Sequence, residues 1–189
     1  MPVKSINRTR GFTLVEMIIV ITITAIAITG LAAALYPRSQ QSAEQVIAVK
    51  AAELGRAVLD EILGRQFDQK SGPNGGLPEC LLSGPPERLC TEPVLLGPDI
   101  TAGESNRTLY NDVDDFHGLS GSVVDVLGED RADEYRRYQV EVAVFYVQDN
   151  GGVFSAQAAT VATNYKRIEV VIIDSQGNRY PFAVIKGNY

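Results

Sequence analysis

The sequence predicts an α+β fold, in which a long N-terminal helix is followed by a C-terminal antiparallel sheet. Two observations lead to this prediction. Residues 17–36 form an apolar run without a charged side chain, and helical spacing of apolar residues continues after it to residue 67. Beyond residue 137, apolar residues alternate at period two in segments separated by turn residues, which is typical of strands with one buried face.

The apolar run is long enough to cross a membrane. Its 20 residues make a helix of about 30 Å, which is the thickness of the hydrocarbon core of a bilayer. Lys4, Arg8 and Arg10 precede the run, and no acidic residue precedes Glu16. The positive-inside rule therefore places the N-terminus in the cytoplasm and sends the rest of the chain across the membrane.

The second half of the helix, residues 37–67, is predicted to be amphipathic. Its apolar stripe consists of Val46, Ile47, Ala51, Leu54, Val58, Leu59, Ile62 and Leu63, and its charged face of Glu44, Lys50, Glu53, Arg56, Asp60 and Arg65. Pro37 removes one backbone donor, so we expect a kink within one helix over 12–66. The stripe is expected to pack against the sheet.

The remaining elements are predicted from turn residues and alternation. Residues 68–119 are rich in Gly, Pro, Ser and Asn, which indicates loops and no long helix or strand. Strands are predicted at 138–147, 165–174 and 179–186, the last two joined as a hairpin through Gly177, and 121–127 is a candidate for one more. Pro181 places the last strand at a sheet edge or makes it irregular.

Composition and charge restrict the function. The chain has 189 residues, 45% of them apolar, which suffices for a membrane segment and one domain of ordinary size. The formal net charge is −6, and because three basic residues precede the apolar run, the remainder is more acidic still. Such a domain lacks the basic surface that binds phosphate backbones, so we expect no nucleic-acid partner.

Cys80 and Cys90 are the two cysteines of the chain. They lie in a Pro/Gly-rich segment on the exported side, where an oxidising compartment allows a disulfide that closes a small loop. A zinc site is the weaker alternative, because only His117 is in reserve and zinc needs four ligands, or three and a water.

An acidic segment, residues 111–118, collects Asp112, Asp114 and Asp115 beside His117. Its carboxylates are candidate ligands for calcium, the one cofactor that the sequence suggests. The spacing of an EF-hand loop is absent, which favours a solvated acidic turn. A catalytic pair of His117 with an aspartate would need a nucleophile and a pocket that the sequence does not reveal.

Glu16 is unexpected at the start of an apolar run. A secretory signal peptide cut before Leu35 would explain the basic start and the apolar core, and a simple signal anchor would explain the span. Neither alternative gives the carboxylate a role.

The stretch RGFTLVEMIIV closely resembles the N-terminal signature of type IV prepilins and pseudopilins. In that family a short basic leader ends in Gly, a Phe follows, and Glu is the fifth residue of the mature chain. The resemblance implies that residues 1–11 are a leader, that prepilin peptidase cuts between Gly11 and Phe12, and that the new amine of Phe12 is methylated. The helix over 12–36 would stay on the mature chain and pack against other pilin subunits.

The resemblance gives Glu16 a partner. The new α-amine is largely cationic at neutral pH, so Glu16 of one subunit can pair with the amine of a neighbour. An unpaired buried charge costs several kcal/mol, so this pair would fix the axial register of the subunits.

Later segments, namely 43–68, the stretch from Cys80 to Cys90, and 112–121, are similar to the D-type minor pilins of mannose-sensitive haemagglutinin (MSHA) pilus systems. This implies a pilin-like, non-enzymatic minor pilin with a periplasmic domain over 68–189. Its expected partners are other pilin subunits and an inner-membrane assembly platform, and it would reach a surface pilus used in attachment. A type II secretion pseudopilin is the rival within the family. A membrane-anchored periplasmic binding domain or enzyme is the rival of another class.

Overall fold

A single helix carries both the apolar run and the amphipathic stripe. The computed structural model describes residues 11–72, 78–122 and 135–189, and its helix α1 spans Leu14–Leu63, slightly inside the predicted limits. The chain divides into two compact units, 1–46 and 47–189, and α1 contributes to both. The kink predicted at Pro37 falls within 35–43, whose side chains lie outside the described residues.

The sheet is antiparallel and follows chain order. Its strands are β1 (Ser120–Ser122), β2 (Gln139–Tyr146), β3 (Tyr165–Ile173) and β4 (Arg179–Gly187), paired in the order β1-β2-β3-β4. The three long strands and the hairpin are thus confirmed, and the α+β fold class with them. Of the strand suggested at 121–127, the structure describes its first two residues within β1, and the others lie outside the described part.

The hairpin between β3 and β4 turns at the expected place. Gly177 adopts a φ of +85°, a conformation that L side chains rarely take. The side chain of Asp174 accepts hydrogen bonds from the backbone N–H groups of Gln176 and Asn178, at 2.8 and 3.0 Å. Pro181 lies in β4, an edge strand, where its missing N–H breaks no pairing with a further strand.

The core of the second unit lies between α1 and one face of the sheet. From the helix it takes Ala51, Leu54, Val58 and Ile62, and from β2 and β3 it takes Val140, Val142, Val144, Ile168, Val170 and Ile172. Burying a Val, Leu or Ile side chain fully contributes roughly 1.5–3 kcal/mol, so this layer is the main source of domain stability.

One member of the predicted stripe lies outside this core. Val46 is 56% exposed, whereas Ile47 packs against the core cluster. The expectation for Val46 was wrong because the compact second unit begins at Ile47. Periodicity identifies the face of a helix that is apolar, but it does not locate the residue at which that face meets the rest of the domain.

A glycine brings β4 close to the helix. Gly55 is buried, and a Cβ placed on it would lie 2.5 Å from two ring carbons of Phe182. Such a distance is far below van der Waals contact, so the aromatic ring occupies the space that any other residue would need. Gly55 is therefore a packing requirement, since glycine otherwise weakens a helix.

Ionic contacts hold the C-terminal end of α1. Lys186 on β4 donates to the carbonyl of Leu63 at 2.9 Å and also to the carbonyl of Arg65. Unpaired carbonyls at a helix end favour a cation, so Lys186 satisfies them. Glu61, one turn earlier, forms an ion pair with Arg107 of the following segment.

The segment between helix and sheet is irregular, as predicted. Its described residues form short 3₁₀ turns in place of a long helix or strand. These turns are Pro86–Arg88, Pro93–Leu95, Ile100–Ala102, Arg107–Leu109 and Asp114–Phe116. The segment still belongs to the domain, because Tyr110, Val113 and Phe116 are buried in the core that contains the helix stripe.

Candidate functional site

The N-terminal site lies where α1 begins. Gly11 and Phe12 precede the helix, and Thr13 caps it, because its hydroxyl oxygen accepts a hydrogen bond from the backbone N–H of Glu16 at 3.2 Å. The sequence Thr-Leu-Val-Glu is the pattern of a capping box, which explains why the helix begins at Leu14. This signal was available in the sequence and places Glu16 in the first helical turn, where the helix dipole favours a negative charge.

Between Glu16 and Ala34, the surface of α1 is apolar on every side. The span Leu14–Ala34 has a mean hydropathy of 2.4, and none of it is buried inside the chain. A soluble helix exposes a polar face to water, so a helix that is apolar all round requires lipid or other helices around it. The structure thus meets the length and composition requirement for a membrane span, on a helix near the N-terminus.

The threonines of this span are compatible with lipid. Their hydroxyl groups donate to backbone carbonyls one turn earlier, from Thr22 to Ile18 and Ile19, from Thr24 to Val20, and from Thr29 to Ala25, at 2.6 to 2.9 Å. An unsatisfied donor in hydrocarbon would cost several kcal/mol. Because these bonds are internal to the helix, Glu16 is the ionisable side chain that still needs a partner there.

The disulfide closes a loop within the irregular segment, and this loop packs against the sheet. Cys80 and Cys90 are joined, with Cα atoms 4.9 Å apart. Their side chains are buried with Phe67 and Tyr146, and the amide of Asn188 donates to the carbonyl of Cys80 at 2.9 Å. Asp68 lies within 4.8 Å of both sulfurs, but sulfurs in a disulfide are not thiolates and do not form a metal site.

The acidic loop is buried, which was not expected. Asp112, Asp114 and Asp115 are each at most 3% exposed. Asp112 accepts from the backbone N–H of Asp114 at 2.7 Å, and Asp115 accepts from those of Asn111 and Asp112 at 2.9 and 3.1 Å. The solvated acidic turn favoured by the sequence is therefore wrong for these side chains, and they order the loop instead.

Calcium binding at this loop stays a prediction. The three carboxylates line a cavity of about 290 Å³ together with Lys70 and Asp99, so oxygen ligands face one space. Backbone N–H groups already occupy part of the acceptor capacity of Asp112 and Asp115. His117 is exposed, and its Nδ1 accepts from the backbone N–H of Val144 at 3.1 Å, which is a structural contact.

Lys166 is the central side chain that the sequence reasoning missed. It is 0% exposed at the start of β3, and its Nζ lies 2.5 Å from Oδ1 of Asp114 and 3.2 Å from Oδ2 of Asp68. It also donates to the carbonyl of Phe67 at 2.7 Å. The signal was its parity, because Lys166 falls on the buried face of β3, in line with Ile168.

Burial changes the acidity of this cluster. It raises the pKa of Asp112 to about 8, helped by the charges of Asp114 and Asp115, and raises that of Asp114 to about 7 against the charge of Lys166. For Asp68, burial acts upward, but Lys166 and hydrogen bonds from Lys70 and Thr91 outweigh it, so its pKa lies below the usual value. Asp68 is therefore an anion at neutral pH.

The α+β architecture combines a four-stranded antiparallel sheet with an N-terminal helix that is long and apolar enough to span a membrane. Residues 6–32 match the family described as the prokaryotic N-terminal methylation motif. The motif supports a type IV pilin or pseudopilin, a family of structural proteins, and with the one apolar helix it fits a single-pass membrane-anchored subunit. Neither the curated proteins nor the solved structures gave a match.

Proposed function

We propose that this chain is a minor pilin, a structural subunit that takes part in the assembly or initiation of a type IV pilus of the MSHA type used in surface attachment. The observation that carries this proposal is the methylation motif at 6–32 placed directly on a helix whose apolar surface is not buried by any of the residues that the structure describes. A membrane tether needs only a helix that is long enough to span the bilayer. The methylation motif indicates N-terminal processing in addition, and the uncovered apolar surface offers a binding surface for neighbouring subunits.

The proposal assigns roles to the N-terminal residues. Prepilin peptidase removes residues 1–11 by cutting between Gly11 and Phe12, and the amine of Phe12 is methylated. Glu16 then pairs with the amine of an adjacent subunit when helices leave the lipid for the filament. The capping bond between Thr13 and the backbone of Glu16 supports this arrangement, because it fixes the backbone of Glu16 one helical turn from the new terminus.

Intact mass and the N-terminal peptide of the protein from membranes of its own host test the processing. A chain that begins at methylated Phe12 is the expected result. A chain that still begins at Met1 in cells with active peptidase would reduce the protein to an anchored domain. A chain that begins at Leu35 would make it a secreted soluble protein, and either result would contradict the proposal.

Substitution of Glu16 tests assembly. Glu16→Ala is expected to remain in the membrane and to be absent from sheared filaments, because the register pair is lost. Glu44→Ala is the matched control, since it removes an exposed carboxylate from the same helix outside the apolar span. Equal incorporation of both variants would contradict the register role. Co-purification with pilus components or with secretion components separates the MSHA assignment from a type II secretion pseudopilin.

A further inference from the structure

Lys166 and Asp114 form an unusual buried contact. Both residues are at least 97% buried, and Nζ lies 2.5 Å from Oδ1 of Asp114. This separation is shorter than that of most charge-assisted hydrogen bonds, yet neither carboxylate oxygen of Asp114 has a partner with hydrogen-bond geometry. The nitrogen therefore lies against the carboxyl group without being directed at it as a hydrogen-bond donor.

A second carboxylate lies beside the pair. Oδ2 of Asp68 is 3.2 Å from Nζ and accepts hydrogen bonds from the backbone N–H of Thr91 at 2.8 Å and from the hydroxyl group of Tyr146 at 3.3 Å. These bonds hold Asp68 in place. The rings of Phe67 and Tyr146 lie 4.3 and 4.9 Å from Nζ at their centroids and flank the nitrogen with apolar surface.

We propose that Lys166 and Asp114 are joined by an isopeptide bond, formed within the folded domain with Asp68 as the group that transfers the proton. The site has the three groups that this chemistry needs, namely an amine, an acceptor carboxyl and a second carboxylate. Two reacting groups that a protein holds in contact react as if one of them were present at an effective concentration of about 10⁵ M or more. Conversion of a buried ion pair to a neutral amide also removes two charges that are costly to bury.

The step balances without an external reagent. One proton of the Lys166 ammonium passes through Asp68 to an oxygen of Asp114 while Nζ adds to Cγ and the C–N bond forms. The C–O bond to that oxygen then breaks, and the oxygen leaves as water with a second proton from the nitrogen. The third proton stays on the amide nitrogen, and Asp68 returns to its carboxylate form.

The bond would fasten the acidic loop to β3. It would act beside the disulfide, since Asp68 and Tyr146 contact Lys166 while Tyr146 packs with Cys80 and Cys90. The isopeptide bond would join the irregular segment to the sheet, and the disulfide would close a loop within that segment. This inference concerns the second unit alone and does not depend on the assembly role proposed for the N-terminal helix.

Intact mass of the full chain, purified in detergent, reduced and alkylated, tests the proposal. The expected protein is lighter by one water than its sequence and yields a branched tryptic peptide in which residues 108–131 are linked to residues 138–167. Lys166→Arg should restore the unmodified mass, apart from the change of residue. The wild type and Lys166→Arg are compared with each other. Removal of the leader changes both masses equally and does not affect the comparison.

Two further variants sharpen the test. Asp114→Asn should lose ammonia in place of water, because an amide can accept the same attack. Lys186→Arg is the matched control, since Lys186 is a half-buried lysine of the same sheet that contacts carbonyl groups. This variant should keep the loss of water. A folded wild-type chain with its full calculated mass and no branched peptide would overturn the proposal and leave a buried ion pair.

Discussion

The two halves of α1 differ in what covers their apolar side chains. In Leu14–Ala34 the side chains have no contact that buries them within the chain, whereas Leu54, Val58 and Ile62 are at most 1% exposed against the sheet. Both halves belong to the same helix. An apolar helix surface needs lipid or other helices around it where its own domain does not bury it, and in the second half the domain itself supplies the burial.

The largest effect that tests this comparison is expected from a pair of isoleucines. Ile62 is 0% exposed and Ile23 is 62% exposed. Ile62→Ala should lower the free energy of unfolding by roughly 2–5 kcal/mol, because it leaves a cavity in the core. Ile23→Ala should leave it unchanged, since that side chain is largely exposed and its truncation leaves no cavity.

Thermal unfolding of the full chain in detergent, followed by near-ultraviolet circular dichroism of the buried tyrosines, measures both isoleucine variants. The control is membrane fractionation, where both variants should remain membrane-bound. A loss of domain stability in Ile23→Ala similar to that in Ile62→Ala would contradict the division of α1 into a domain half and an externally covered half.

A pair of glycines gives the next effect. Gly55→Ala should destabilise the domain by about 1–3 kcal/mol, because its Cβ would overlap the ring of Phe182. A Cβ on Gly30 would meet nothing within 4 Å. Gly30→Ala should therefore leave domain unfolding unaffected in the same detergent measurement, although alanine is the better helix former.

The stability lost in Gly55→Ala can be restored by a second substitution. This rescue distinguishes steric overlap with Phe182 from a general loss of fold. Phe182→Leu removes ring atoms that the new methyl group meets, so the double variant with Gly55→Ala should recover part of the lost stability. If the stability lost in the double variant equals the sum of the losses in the two single variants, direct packing between Gly55 and Phe182 is contradicted.

Patterns along the chain predicted elements better than contacts. The strands, the edge position of Pro181 and the stripe from Ala51 to Ile62 follow from periodicity and turn chemistry, which are local. The contact between Gly55 and Phe182 was not predictable, because it joins positions distant in sequence. Lys166 carried a usable signal in its strand parity, but its partners Asp68 and Asp114 come from loops whose paths no periodic pattern specifies.

The buried acidic loop predicts a dependence of stability on pH. Burial raises the pKa of Asp112 from 3.8 to about 8, with Asp114 and Asp115 acting in the same direction and Lys166 in the opposite one. The folded state then holds a proton that the unfolded state releases, so stability is lost as pH rises between these values. Asp112→Asn should remain able to accept the backbone hydrogen bond and should flatten this slope.

Melting temperatures from pH 5 to pH 8, with a chelator present to remove calcium, measure the slope. A contribution of 1 kcal/mol corresponds to roughly 2–4 °C for a chain of this size. An equal slope in the wild type and in Asp112→Asn would show that other groups govern the pH dependence. The same measurement can be repeated with calcium in place of the chelator. A melting temperature that then rises in the wild type but not in Asp112→Asn would support the predicted calcium ligands.

The smallest effect is expected from an ion pair on the solvent side of the domain half. Arg56 and Asp60 are 3.5 Å apart, and their side chains are 84% and 65% exposed. Arg56→Ala should change the free energy of unfolding by no more than about 0.5 kcal/mol, because water and salt screen such a pair. Arg107→Ala should cost more in the same unfolding measurement, since it removes the nearer cation from Glu61, which is only 21% exposed, and leaves it with Arg65 at 3.5 Å. Equal effects of the two substitutions would show that the charged face of the helix is not solvated as its exposure indicates.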